Sequence, residues 1–121
     1  MNRVKLVLAA ALLLAAGPSL AHETKGPNGG RVVDAGSYHV ELVVSGAQVD
    51  VFVSDGSDKA LTAAGFKAVA ILNAGGKAQR VALESAGSKL SGKAGSDLPA
   101  NVKGVVQLTA PDGKVAQGQF K

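Results

Sequence analysis

Hydrophobic and polar residues alternate with a period of two along much of the chain, which is the pattern of half-buried β-strands. Residues 38–44 show it clearly, because Val40, Leu42 and Val44 fall on one face. Residues 48–54 alternate in the same way, and a short Ser-Gly turn signal separates the two runs. We therefore expect the two runs to pair as a hairpin.

Four further strands are predicted over residues 67–72, 77–84, 102–109 and 114–120, with a Pro-Asp-Gly turn joining the last two. The spacing predicts an all-β domain, a small antiparallel β-sandwich of about seven strands with an immunoglobulin-like arrangement. The one helical candidate is a single turn within residues 59–66. The core is expected to consist of Val, Leu, Ile and Ala side chains and the three Phe residues.

The first 21 residues follow a different pattern, a positive start and an apolar run that ends in small residues. Arg3 and Lys5 supply the charge, and Gly-Pro then breaks the run before Ser19 and Ala21. This layout is typical of a secretory signal peptide over residues 1–21, with a permanent membrane anchor as the alternative. We expect cleavage after Ala21, a periplasmic location and no membrane contact after cleavage.

Cleavage would leave a flexible N-terminal arm over residues 22–30, rich in Gly and polar residues, and one β-sandwich domain over residues 31–121. Loss of Arg3 and Lys5 from the 13 basic residues leaves 11 against 9 acidic ones, a net charge of +2. A net charge this small, with Lys and Arg scattered along the chain, argues against binding to nucleic acid.

Several kinds of chemistry are excluded by composition. The chain has no Cys, and its one Met is residue 1, so disulfides and thiolate metal sites are ruled out. None of the common nucleophile, phosphate-loop or zinc-protease motifs occurs, so we expect a protein that is not an enzyme. The acidic segment 54–59 lacks the ligand spacing of a calcium loop and is interpreted as a turn.

The two histidines offer a metal site. If cleavage follows Ala21, His22 becomes the first residue, and its free amine and imidazole can chelate one ion. His39 on a predicted strand would add a third nitrogen, and Glu41 on the same face, or Glu23, an oxygen. Such a nitrogen-rich set without sulfur favours copper(II), with zinc, nickel or cobalt as alternatives. The plainer interpretation makes His22 an ordinary polar first residue and His39 a surface residue.

Residues 26–53 carry a motif in which Gly26, Pro27, Gly29, Gly30 and Arg31 precede a strand with Val-Glu-Leu at 40–42. The segment resembles the N-terminal part of periplasmic adaptor proteins of heavy-metal efflux systems. That family often has His where this chain has Asn28, and the adaptor's other domains are absent here. The resemblance covers about a quarter of the chain and implies metal handling, with an efflux component as a partner.

Together these features predict a periplasmic protein that binds a divalent transition metal for resistance, buffering or delivery to efflux. The alternative is an exported, metal-free β-sandwich that serves as an interaction or structural module. In that case the exposed edge of a hairpin would accept a strand from a partner.

Overall fold

The computed structural model describes residues 23–121, which form an all-β domain of nine strands without helices. The predicted signal peptide and His22 lie outside these residues. None of the described residues forms a helix long and apolar enough to cross a membrane. The strands are β1 (Thr24–Lys25), β2 (Arg31–Ala35), β3 (Tyr38–Ser45), β4 (Gln48–Ser54), β5 (Lys67–Ala74), β6 (Lys77–Ala86), β7 (Lys89–Lys93), β8 (Lys103–Thr109) and β9 (Val115–Phe120).

Tight turns connect most neighbouring strands. Four hairpins close through two-residue loops that begin with glycine, at 36–37, 46–47, 75–76 and 87–88. The first glycine of each loop has a positive φ of 60–76°. Residues with a side chain rarely adopt this backbone conformation. The predicted final turn is also present, because the Gly113 amide donates to the Ala110 carbonyl at 2.9 Å. The hairpins predicted at 38–54 and 102–120 are confirmed.

All strand pairs are antiparallel and form one curled sheet in the order β1-β2-β3-β4-β7-β6-β5-β8-β9. Strand β6 connects the two halves of this sheet. Its residues 77–83 pair with β5, and its residues 84–86 pair with β7. The curl lets both halves turn their apolar faces towards one core, which gives the domain a sandwich-like character.

The core follows the predicted alternation. Val40 and Leu42 of β3 are buried, as are Val49, Val51 and Val53 of β4. Two expectations about the core are wrong. Ile71 is 44% exposed because β5 buries Ala68, Ala70 and Leu72 on its other face. Phe52 is only partly buried, since it lies on the outer face of β4 with Asp50.

The ends of the sheet meet where β9 packs against β2 without pairing. A side chain at Gly118 would approach Val33 and Val40 within 2.9 Å, so glycine permits this contact. Arg31 also joins the two ends. Its Nη2 donates to the Val102 carbonyl at 2.6 Å, and its guanidinium lies 5.3 Å from the centre of the Phe120 ring.

The structure differs from the sequence-based expectation in three respects. It contains nine strands instead of about seven, and β1, β2 and β7 lie outside the six segments for which a strand was predicted. Residues 23–30, expected as part of a flexible arm, contain strand β1 and a hydrogen-bonded turn. The expected single helical turn within residues 59–66 is absent, and Ala60 instead bridges to Ser54.

Candidate functional site

An open groove of about 740 Å³ lies on the outer surface where β1, β2 and β9 approach one another. His39 lines it, and we call it the His39 groove. Its lining residues are Glu23, Thr24, Val32, Val33, Asp34, His39, Asp58, Gln117, Gln119 and Lys121. Three carboxylates against one lysine give the groove an acidic character, which favours cations.

Both imidazole nitrogens of His39 have carboxylate neighbours. Nδ1 lies 2.7 Å from Oδ1 of Asp58, and Nε2 lies 3.1 Å from Oδ1 of Asp34. Asp34 is directly opposite His39 in the pairing of β2 with β3, so the two side chains share the outer face. Asp58 reaches the ring from the loop after β4, and its φ of 65° is the one positive value among described non-glycine residues.

These contacts hold the ring in place more than they stabilise the fold. The side chains of Asp34 and Asp58 are 83% and 80% exposed, and that of His39 is 24% exposed. Ion pairs with exposed partners contribute about 1 kcal/mol or less. These ion pairs therefore contribute little to the stability of the fold. Their main consequence is that the imidazole of His39 keeps a fixed orientation.

The loop that carries Asp58 is fixed by its own hydrogen bonds. The Asp55 carboxylate accepts hydrogen bonds from the backbone amides of Ser57 and Lys59, at 2.8 and 3.0 Å. The amide of Lys59 and then that of Ser57 lower the pKa of Asp55 below its usual range. The carboxylate thus caps a turn, in agreement with the interpretation of residues 54–59 as a turn.

Glu41 has a different environment from His39, although both lie on the outer face of β3. Its side chain is 4% exposed, and it is the one buried charged residue in the described part of the chain. Oε2 accepts hydrogen bonds from the amides of Asn28 and Gly30, and Oε1 accepts one from Nδ2 of Asn28. All three donors belong to the turn at 26–30, so the carboxylate is directed towards that turn.

The glycine motif of the sequence is explained by the same contacts. A Cβ on Gly26 would overlap the Glu41 carboxylate, and one on Gly30 would overlap the Leu42 carbonyl oxygen. Only glycine lets the turn lie this close to β3. Arg31, the last residue of the motif, joins the two ends of the sheet as described above. Gly26, Gly30 and Arg31 of the motif therefore each have a structural role within the fold.

The groove contains two predicted ligands, His39 and Glu23, and two residues that the sequence interpretation did not assign to a site. His39 is in the groove, with Asp34 and Asp58 as neighbours. Glu41 lies instead beneath the turn, and His22 is outside the described residues. A signal for Asp34 was present, because Gly36-Ser37 between two apolar runs is typical of a two-residue hairpin. That hairpin places Asp34 opposite His39.

Among residues 23–121, no three His, Cys, Asp or Glu side chains form a group that could by itself hold a metal ion. The chain matches no protein-family model, no curated protein and no solved structure.

Proposed function

We propose that the processed protein binds one divalent transition metal ion, copper(II), in the His39 groove. The amine and imidazole of His22 supply two nitrogens, and Nε2 of His39 supplies a third. The protein would act in the periplasm, in metal resistance, buffering or delivery to an efflux component. It is proposed as a binding protein without catalytic activity.

The orientation of His39 is the observation that carries the proposal. Asp58 lies at 2.7 Å from Nδ1, which leaves Nε2 on the side of Asp34. Metal-binding imidazoles usually donate their second N–H to a carboxylate, which fixes the tautomer and raises the basicity of the ligand nitrogen. Asp58 is placed to accept a hydrogen bond from Nδ1–H of His39, and in that tautomer Nε2 is the nitrogen that can bind an ion.

The path of the chain also supports the proposal. Glu23 lines the same groove as His39, and it is held there by two contacts. Its Oε2 accepts a hydrogen bond from the Lys121 amide at 2.6 Å, and its Oε1 lies 3.6 Å from Nη1 of Arg31. The described part of the chain therefore begins at the groove.

Asp34 is better placed than Glu41 to add an oxygen ligand. Its exposed carboxylate is within 3.1 Å of Nε2 of His39, whereas the Glu41 carboxylate already accepts three hydrogen bonds. A set of three nitrogens and one carboxylate oxygen suits tetragonal copper(II). Copper(I) is disfavoured, because cleavage after Ala21 would leave a chain without sulfur.

The test is a copper(II) titration of the processed protein beside a form with one extra Met before His22. The extension removes the chelating amine from His22, so we expect affinity to fall at least about tenfold, or about 1.4 kcal/mol. A His39→Ala variant should lose affinity to a similar degree. Equal and weak binding by all three proteins would contradict the proposal and favour the metal-free interaction module.

A further inference from the structure

A second groove, of about 510 Å³, crosses the outer face of β2, β3 and β4. Its floor contains Val32 and Phe52, which lie on either side of Glu41 in the strand pairing. One wall is the turn at 26–30, and the other is the loop after β4, which contributes Leu61. We call it the Phe52 groove, because the Phe52 ring is its largest apolar side chain.

The Phe52 groove is continuous with the His39 groove. Three residues line both of them, Thr24, Val32 and Asp58. One part of the joint surface is apolar, and the other part has the exposed carboxylates around His39. A ligand that covers both parts would need an apolar group and a positive charge.

The packing of the fold gives Phe66 and Phe120 a role that Phe52 does not share. Both of those rings are buried in the core, where Phe66 meets Tyr38 edge to face and Phe120 lies beneath Arg31. Phe52 is partly buried, and it lies outside the core cluster of the described residues. An accessible aromatic ring in a groove is a common anchor for a binding partner.

The distance between the two parts of the surface limits the shape of a ligand. Ser54 lies two residues beyond Phe52 on β4 and pairs with His39, which pairs with Asp34. Side chains two residues apart on one face of a strand are about 7 Å apart. Alternate side chains of an extended peptide have the same spacing. The carboxylates of Asp34 and Asp58 are 83% and 80% exposed, so a cationic side chain can approach them.

From this geometry we infer that the two grooves bind an extended segment of a partner protein, in which an apolar side chain and a Lys or Arg are two residues apart. The apolar side chain covers Phe52, and the cationic group lies beside Asp58. Neither contact involves a metal ion, so this interaction goes beyond the proposed function and does not depend on it.

NMR titration of the metal-free, processed protein with the peptide acetyl-Lys-Ser-Phe-Ser-Lys-amide tests the inference. A Lys on each side of the Phe provides the required spacing in either direction of the peptide. We expect the amide signals of Phe52, Asp58 and Ala60 to shift. A peptide with Glu in place of both Lys, and one with Ser in place of Phe, should each bind at least about tenfold more weakly.

Substitutions in the protein separate the apolar contact from the charged one. Phe52→Ala should weaken binding of the Lys peptide about tenfold. Ile71→Ala is the matched control and should bind normally, because Ile71 is 44% exposed on β5 in the other half of the sheet. Asp58→Asn should reduce the preference for Lys over Glu, and Asn tolerates the positive φ at this position. If Phe52→Ala fails to fold, Ala60→Lys places a positive charge on the exposed wall and should also weaken binding.

Several results would overturn the inference. Equal binding of the Lys and Glu peptides would exclude the charged contact, and unchanged binding by Phe52→Ala would exclude the apolar one. Binding of n-butylamine as strong as that of the Lys peptide would identify a small amine as the occupant. Groove signals that shift with protein concentration alone would identify a second copy of the chain. A failed copper(II) titration would contradict the proposed function and leave these results unaffected.

Discussion

At the scale of single residues, Asp50 on β4 shows how hydrogen bonds offset partial burial. Burial raises the pKa of its carboxyl group, but hydrogen bonds from Ser91, Gln48 and Lys89 outweigh that effect and lower the pKa below its ordinary 3.8. Ser91 donates at 2.7 Å and Nζ of Lys89 at 3.2 Å. The ionised carboxylate therefore stabilises the pairing of β4 with β7.

This arrangement predicts a pH dependence of stability. Because the native pKa of Asp50 is below the unfolded value of 3.8, its contribution is present above pH 3.8 and is lost as the pH falls through the native pKa. Asp50→Asn should therefore unfold at lower urea concentration than the wild type at pH 7, with a smaller difference near pH 3. An equal difference at both pH values would contradict this role of Asp50.

Residue roles were predictable from sequence only where the strand pattern determined them. The alternation of β3 placed His39 and Glu41 on one face, and the structure agrees. The alternation could not show that the His39 side chain would lie between two carboxylates. Nor could it show that the Glu41 side chain would be buried beneath a turn. Those environments come from Asp58 and Asn28, whose positions depend on loops folding back over the sheet.

At the scale of elements, β7 is a strand that local sequence did not indicate. Lys89–Lys93 contains one large apolar residue, Leu90, which is fully buried. The strand forms because β6 pairs with one edge and β4 with the other. Tertiary pairing thus overrides a weak local preference for strand, as is common for such segments. Strands β3, β4, β8 and β9 have strongly alternating sequences, and all four were predicted from that alternation.

Strand β7 gives a prediction at the same scale. Leu90→Ala should destabilise the domain by about 2–5 kcal/mol, because the buried side chain leaves a cavity between two strands. Leu61→Ala is the comparison, since Leu61 is only partly buried at the edge of the core. Urea unfolding measures both variants. If the two lose the same stability, β7 is not an integral part of the core.

At the scale of the whole molecule, the strand order brings the residues of the His39 groove together. Pairing of β4 with β7 and of β5 with β8 joins segments that are distant in sequence, so period-two patterns could not predict it. The resulting curl places β9 against β2 and puts Lys121 within hydrogen-bond distance of Glu23. The groove that contains His39 exists only because the two ends of the sheet meet.

The proposed function requires that His22 and His39 bind the same ion. Electron paramagnetic resonance of the copper(II)-loaded, processed protein tests it most directly, through the number of nitrogens coupled to the metal. We expect coupling to three nitrogens in the wild type and to two in His39→Ala. An identical nitrogen pattern in both proteins would contradict the claim, because His39 would then lie outside the coordination sphere.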